Sequence, residues 1–166
     1  MLDSKKLIKV SEAIVPYRKQ STQKTCSSAS LRMVLSYYGD ERSEDELTKL
    51  IGVHSCGADG PDIVKAAKKL GYKAEYRSIK TQEAVDLLNA KIPIIMDGKS
   101  FKYDGKFHWT VLCDIQLENN KVILADPNYD NEYRYLSLKE LDFYWNSKEM
   151  YKPHRPLKRY GVIVTK

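Results

Sequence analysis

The chain has 166 residues, 42% apolar and 30% charged, with a formal charge of +6 and three cysteines. That size suits one domain around one core, and the composition excludes a disordered tail. No apolar run approaches the roughly 20 residues that cross a membrane, and residues 1–10 lack the apolar stretch of a secretory signal.

The three cysteines Cys26, Cys56 and Cys113 cannot all pair, and no CxxC occurs, which argues against a disulfide framework or zinc ribbon. A reducing compartment, the cytoplasm, is the expected setting. Lys148, Lys152, Arg155, Lys158, Arg159 and Lys166 face Glu149 alone in residues 148–166, so the basic excess is local to the C-terminal segment. A nucleic-acid surface spread over the fold is therefore not expected. The segment reads as a solvated terminus, with contact to acidic lipid or a partner as the alternative.

In chain order, Ala29, Met33, Val34 and Tyr37 repeat at helical spacing, predicting a helix from Cys26 to Tyr38 that Gly39 stops. Ser43-Glu-Asp-Glu46 has capping-box spacing before Leu47, Leu50 and Ile51. Gly60-Pro61-Asp62 opens a third helix, Ile63 to Leu70, closed by Gly71. Lys73 to Ile79 reads as a strand, and Thr81 as the cap of a helix from Gln82 to Ala90. The period then becomes two. Ile92 to Met96, with Pro93 near its start, His108 to Gln116 and Lys121 to Asp126 read as strands, the last two joined by a turn at Glu118-Asn119-Asn120. Ser137-Leu-Lys-Glu140 again has capping-box spacing, and Tyr160 to Thr165 closes the chain as a strand. Helices followed by mostly antiparallel strands make an α+β domain.

Cys26 is the informative cysteine. At a helix start, unpaired N–H groups and positive partial charge favour a thiolate. The alternative is a small buried residue, and Ser27 and Ser28 weigh against a core-facing helix start. His108 opens a strand and Asp126 ends the next, so an antiparallel pair could bring them together, Asp126 orienting one ring nitrogen and the other facing a thiol. Taken singly, His108 reads as an edge histidine and Asp126 as a turn former before Pro127. With Cys26 they form a coherent Cys-His-Asp set. Gln20 or Gln23 could add a side-chain amide to the Cys26 N–H in an oxyanion hole, and spacing does not choose between them.

The remaining candidates are bland. His54 and Cys56 are two apart, but no further ligands stand at zinc spacing. Cys113 is expected to pack in the core, and His154 to lie on the surface. Asp97, Gly98 and Tyr103 to Lys106 read as a loop leading into His108. Tyr37, Tyr38, Tyr144 and Trp145 read as core or boundary aromatics.

Gln20-x5-Cys26 followed by Ser-Ser-Ala-Ser-Leu-Arg-Met-Val-Leu-Ser-Tyr-Tyr-Gly39 resembles the nucleophile motif of the C39 peptidases. Gly57 to Gly71 is similar to the family's middle stretch, His108-Trp-Thr-Val-Leu to its histidine motif, Asp126-Pro127 to its Asp-Pro motif, and Leu138 to Trp145 to the helix that follows. The resemblance runs from about 15 to 145. It implies a papain-like fold with Cys26 as nucleophile, His108 as base, Asp126 as orienter and Gln20 in the oxyanion hole. It also implies peptide-bond hydrolysis with no metal or organic cofactor, in the best-known members after a Gly-Gly pair of a leader peptide presented to an ABC transporter.

Ser27 departs from the glycine usual after the nucleophile. No nucleotide-binding motif or membrane-length run follows Trp145, so the expectation is one C39-like domain over 1–166, excised or free-standing. The expected partner is a peptide or protein substrate, with an ABC transporter as a further candidate and no nucleic acid. An isopeptidase or transpeptidase acting on a peptide crosslink, and a non-catalytic leader-peptide-binding module, are the alternatives.

Overall fold

The computed structural model of the protein describes residues 13–166; the stretch read for a secretory signal lies outside them. The elements are α1 (Cys26–Tyr37), α2 (Glu44–Ile51), α3 (Gly60–Lys69), β1 (Lys73–Ser78), α4 (Thr81–Asn89), β2 (Ile94–Lys99), β3 (Phe107–Gln116), β4 (Lys121–Ala125), β5 (Tyr133–Leu136), α5 (Leu138–Tyr144), β6 (Asn146–Lys148), β7 (Pro156–Lys158) and β8 (Tyr160–Thr165). Six strands form one sheet in the order β1-β8-β2-β3-β4-β5, and every pairing in it is antiparallel. The last strand, β8, is inserted between β1 and β2, inside the sheet and next to its edge strand.

Alternation along the strands sorts their side chains into two cores. Ile95, Trp109, Val111, Ile123, Ala125, Val162 and Val164 pack with Leu31, Met33 and Leu35 of α1 and with residues of α2 and α3. Ile94, Met96, Leu112, Val122, Leu124 and Ile163 pack with Leu88 of α4 and Leu141 of α5. Helices therefore cover both faces, and each fully buried aliphatic side chain contributes about 1.5–3 kcal/mol.

The sequence stops hold at most helix ends. Ser43 Oγ accepts from the Glu46 N–H and Gly52 takes a left-handed conformation after α2. The Asp59 carboxylate caps α3. Ser137 and Glu140 form a reciprocal capping box. Thr81 is a correction: it is the first residue of α4, and Lys80 occupies the cap position without a side-chain bond.

Three further differences bear on function. Asp97 and Gly98 belong to strand β2, not to a loop, paired with Trp109 and His108. Their polar and small character ended the apolar pattern, yet Asp97 is buried against Tyr76 Oη, which donates to it at 2.7 Å. A Cβ on Gly98 would meet the Tyr144 carbonyl oxygen at 2.5 Å, so glycine fits where the last residue of α5 meets β2. Strand β5 was not anticipated although Tyr133-Arg-Tyr-Leu alternates. The basic segment is not a bare solvated terminus: β6 and β7 pair as a ribbon, tied down by Trp145 Nε1 donating to the Tyr160 carbonyl at 2.9 Å. Among the described residues no helix is long and apolar enough to cross a membrane.

Candidate active site

Helix α1 presents an open N-terminus. No side chain caps it, and its first turn holds no acidic residue. Thr25, the cap residue, instead hydrogen-bonds with Thr22. The unpaired N–H groups and positive end of the helix are thus left at Cys26, which is 8% exposed. The polar residues beside it are buried, contrary to what a solvent-facing start would give. Ser28 Oγ accepts from Thr48 Oγ1 at 2.8 Å, tying α1 to α2. Ser30 Oγ donates to the Trp109 carbonyl at 3.2 Å, tying α1 to the strand that carries His108. Ser27 is wholly buried in the position where glycine was expected.

His108 is the second residue of β3. Its Nε2 lies 2.7 Å from Asp126 Oδ1, which leaves Nδ1 free, and Cys26 lines the same cleft near enough to act on the charge of the ring. Asp126 follows β4 directly. Its Oδ1 also accepts from the Asn128 N–H at 2.9 Å, and its Oδ2 accepts from Arg134 Nε at 2.6 Å. The three sequence candidates therefore meet at one point. Burial works against the His108 imidazolium, but the Asp126 and Cys26 contacts outweigh it and push the group up to about 9. Burial likewise opposes the Asp126 carboxylate; the bonds from His108, Arg134 and the Asn128 N–H win and hold it below the usual carboxylate range.

Gln20 is buried and lines the same cleft as Cys26, and its Nε2 donates to the Thr22 carbonyl at 2.7 Å. Its Oε1 is buried with no partner. Gln23 is exposed, and its amide reaches Tyr103 Oη at 3.5 Å.

The cleft has a volume of about 920 Å³. One wall is the 55–59 segment, another the loop containing Tyr103 and Lys106, and a third the β6–β7 ribbon. Tyr151 Oη of the ribbon lies 3.4 Å from His54 Nε2 across it. Asp97 lies in its lining, its carboxyl pushed up from 3.8 to about 6 by burial, against the opposing bonds from Tyr76 and Ser147.

Other candidates stay outside this chemistry. Among the described residues no group of histidine, cysteine and acidic side chains could hold a metal ion. Cys113 is fully buried in the core facing α1. His154 is exposed and bonds the Glu149 carbonyl through Nδ1. Arg134 is the residue that sequence reasoning missed. It stands opposite Leu124 in the β4–β5 ladder, and only recognition of β5 as a strand beside the Asp126 strand could have found it.

Comparison with known proteins gives one direction. Residues 14–152 match the model of the family described as the peptidase C39 family. The pediocin PA-1 transport/processing ATP-binding protein PedD of Pediococcus acidilactici is 30% identical over 113 residues, covering 68% of this chain and 15% of PedD. The transport/processing ATP-binding protein ComA of Streptococcus pneumoniae is 27% identical over 150 residues, 86% of this chain and 20% of ComA. The chain thus spans a fifth or less of these relatives. In structure it is similar to the peptidase domain of a Streptococcus ComA (TM-score 0.74, 21% identity, 92% of this chain and 98% of that one). It is also similar to a C39-like peptidase of Bacillus anthracis (0.69, 15%, 93% and 96%). A third likeness is to a double glycine motif protease from an AMS/PCAT transporter, solved with the leader peptide (0.67, 22%, 92% and 91%).

Proposed function

The chain belongs to the peptidase C39 family, and we propose that it is a cysteine peptidase acting through Cys26, His108 and Asp126. The observation that carries this is the His108 ring, held at Nε2 by Asp126 and sharing one cleft with Cys26, whose side chain helps raise its pKa.

In the proposed reaction His108 Nδ1 takes the Cys26 proton and Sγ attacks the scissile carbonyl carbon. The Cys26 N–H and the Gln20 amide donate to the oxyanion. His108 returns the proton to the departing amine as the C–N bond breaks, leaving a thioester; it then takes a proton from the water that hydrolyses the thioester, restoring the thiol. Asp126 holds the ring in register and balances its charge. None of these steps calls on a metal or organic cofactor.

The substrate proposed is a peptide or protein cut after small residues such as Gly-Gly. Support comes from the relatives, among which are a double glycine motif protease and two transport/processing proteins. An ABC transporter is the corresponding candidate partner. The three free cysteines fit action in the reducing cytoplasm. An intact nucleophile, base and orienter favour turnover over a binding module.

The test is digestion of a leader-type peptide carrying Gly-Gly, read by mass spectrometry, with wild type and Cys26→Ala. Cleavage after the second glycine by wild type alone is the expected result; equal cleavage by Cys26→Ala sinks the mechanism. Added amine separates hydrolysis from transpeptidation, because only the latter yields an amide product.

A further inference from the structure

We propose that Arg134 is a positioning residue for this chemistry, fixing the plane of the Asp126 carboxylate so that Oδ1 meets His108. The inference rests on the triad reading above and goes beyond it to a residue that touches neither substrate nor sulfur.

The two oxygens of the Asp126 carboxylate have different partners. Oδ1 accepts from the His108 ring and from the Asn128 N–H. Oδ2 accepts from Arg134 Nε at 2.6 Å, between side chains only 2% and 20% exposed. A carboxylate held at one oxygen can still turn about its Cβ–Cγ bond. A donor on the second oxygen removes that freedom, and here it is one Nε–H of a guanidinium held against the Tyr129 and Phe101 rings. Without Arg134 the buried Oδ2 loses this donor, and a turned carboxylate that seeks another breaks the bond to His108.

Arg134 is itself fixed. Its guanidinium lies 3.9 Å from the Tyr129 ring centroid and 4.5 Å from that of Phe101. Tyr17 Oη donates to the Tyr129 carbonyl at 2.8 Å, securing that ring's segment. Phe101 packs on Tyr144 of α5, their centroids 4.1 Å apart. Charged or titratable groups facing Asp126 are therefore His108 from β3, Arg134 from β5 and Tyr17 from the segment before α1. Burial, reinforced by the Asp126 charge, pushes the Tyr17 phenol up to about 12, so it stays neutral in the working range.

Two roles for Arg134 give opposite signs, which makes the idea testable. As a nearby positive charge alone, Arg134 would repel the imidazolium, and its removal would favour the ion pair. As a positioner it supports the imidazolium through Asp126, and its removal would weaken the pair.

The experiment is alkylation of Cys26 from pH 5 to 9, with steady-state kinetics on the Gly-Gly peptide. The proteins are wild type, His108→Ala, Arg134→Met, Arg134→Lys, Asp126→Asn and the Arg134→Met/Asp126→Asn double variant. Circular dichroism and thermal unfolding check that each folds. The expected result for Arg134→Met is labelling displaced to higher pH, toward an ordinary thiol, and kcat down about a hundredfold with KM little changed. Arg134→Lys should recover only part of this, since an ammonium has neither the Nε–H at that place on the side chain nor the planar face held by the two rings. The double variant should be no worse than its poorer parent.

Labelling in Arg134→Met that stays in place or moves to lower pH overturns the proposal, as does full recovery in Arg134→Lys. Should Arg134→Met not fold, the lysine variant decides alone: partial loss with displaced labelling supports positioning, and wild-type behaviour overturns it. Wild-type labelling indifferent to His108→Ala would instead sink the triad itself.

Discussion

The backbone N–H of Gln20 donates to the carbonyl of Pro127 at 2.9 Å. Residues more than a hundred positions apart are thereby locked together, and the amide proposed for the oxyanion hole hangs on the residue next to Asp126. Gln23 has no such tether: it lies exposed at the cleft edge. Gln20→Ala is expected to lower kcat about 100- to 1,000-fold, and Gln23→Ala to change it little. Initial rates on the Gly-Gly peptide check this; a larger defect in Gln23→Ala would exchange the two assignments.

The pH profile follows from His108. Burial disfavours its imidazolium, but Asp126 and Cys26 raise the group from 6.5 to about 9, so the His108–Asp126 ion pair persists until the pH passes that value. Because the folded value lies above the unfolded one, the stability it contributes is fully present below pH 6.5 and is lost as pH rises through about 9. Thermal unfolding of wild type against His108→Gln should therefore show a gap that narrows between pH 6.5 and 9, with kcat/KM falling over the upper part of the same interval. A gap that widens with pH contradicts the assignment.

Asp97 acts with the same sign at lower pH. Burial lifts its carboxyl from 3.8 to about 6 despite the bonds from Tyr76 and Ser147. Between those values the folded protein binds more protons than the unfolded chain, so stability falls as pH rises, by at most about 3 kcal/mol. Urea unfolding at pH 4 and pH 7 should show Asp97→Asn losing less than wild type over that step. An identical loss in both proteins would place the titration elsewhere.

Gly98 tests the packing behind the site. Its pairing partner across the ladder is His108, and an added Cβ would sit 2.5 Å from the Tyr144 carbonyl oxygen. Gly98→Ala should cost about 1–3 kcal/mol through overpacking. The displaced β2 should also carry β3 with it, lowering kcat more than it alters KM. Chemical denaturation and kinetics on the same variant check both effects, and unchanged kcat would mean that α5 yields instead.

Much of this protein was legible in one dimension. The α1 helix, its Gly39 stop, the α5 capping box and the α+β division follow from local periodicity and turn chemistry, which depend on residues a few positions apart. Cys26 at a helix start, His108 at a strand start and Asp126 at a strand end were each visible as candidates for the same reason. Asp97 and Gly98 were misread because a buried carboxylate in a strand needs Tyr76 from β1, and a tight glycine needs α5 above it; neither partner is near in sequence. Arg134 has only the short alternation of Tyr133-Arg-Tyr-Leu as a local mark. Its significance arises only when β5 lies against β4 and the ladder places its guanidinium beside Asp126. Sequence alone determined which chemistry the chain could carry, because residue types and short-range spacing encode it. Tertiary structure decided which groups touch, because hydrogen bonds between strands and burial between layers act across distances that sequence spacing does not record.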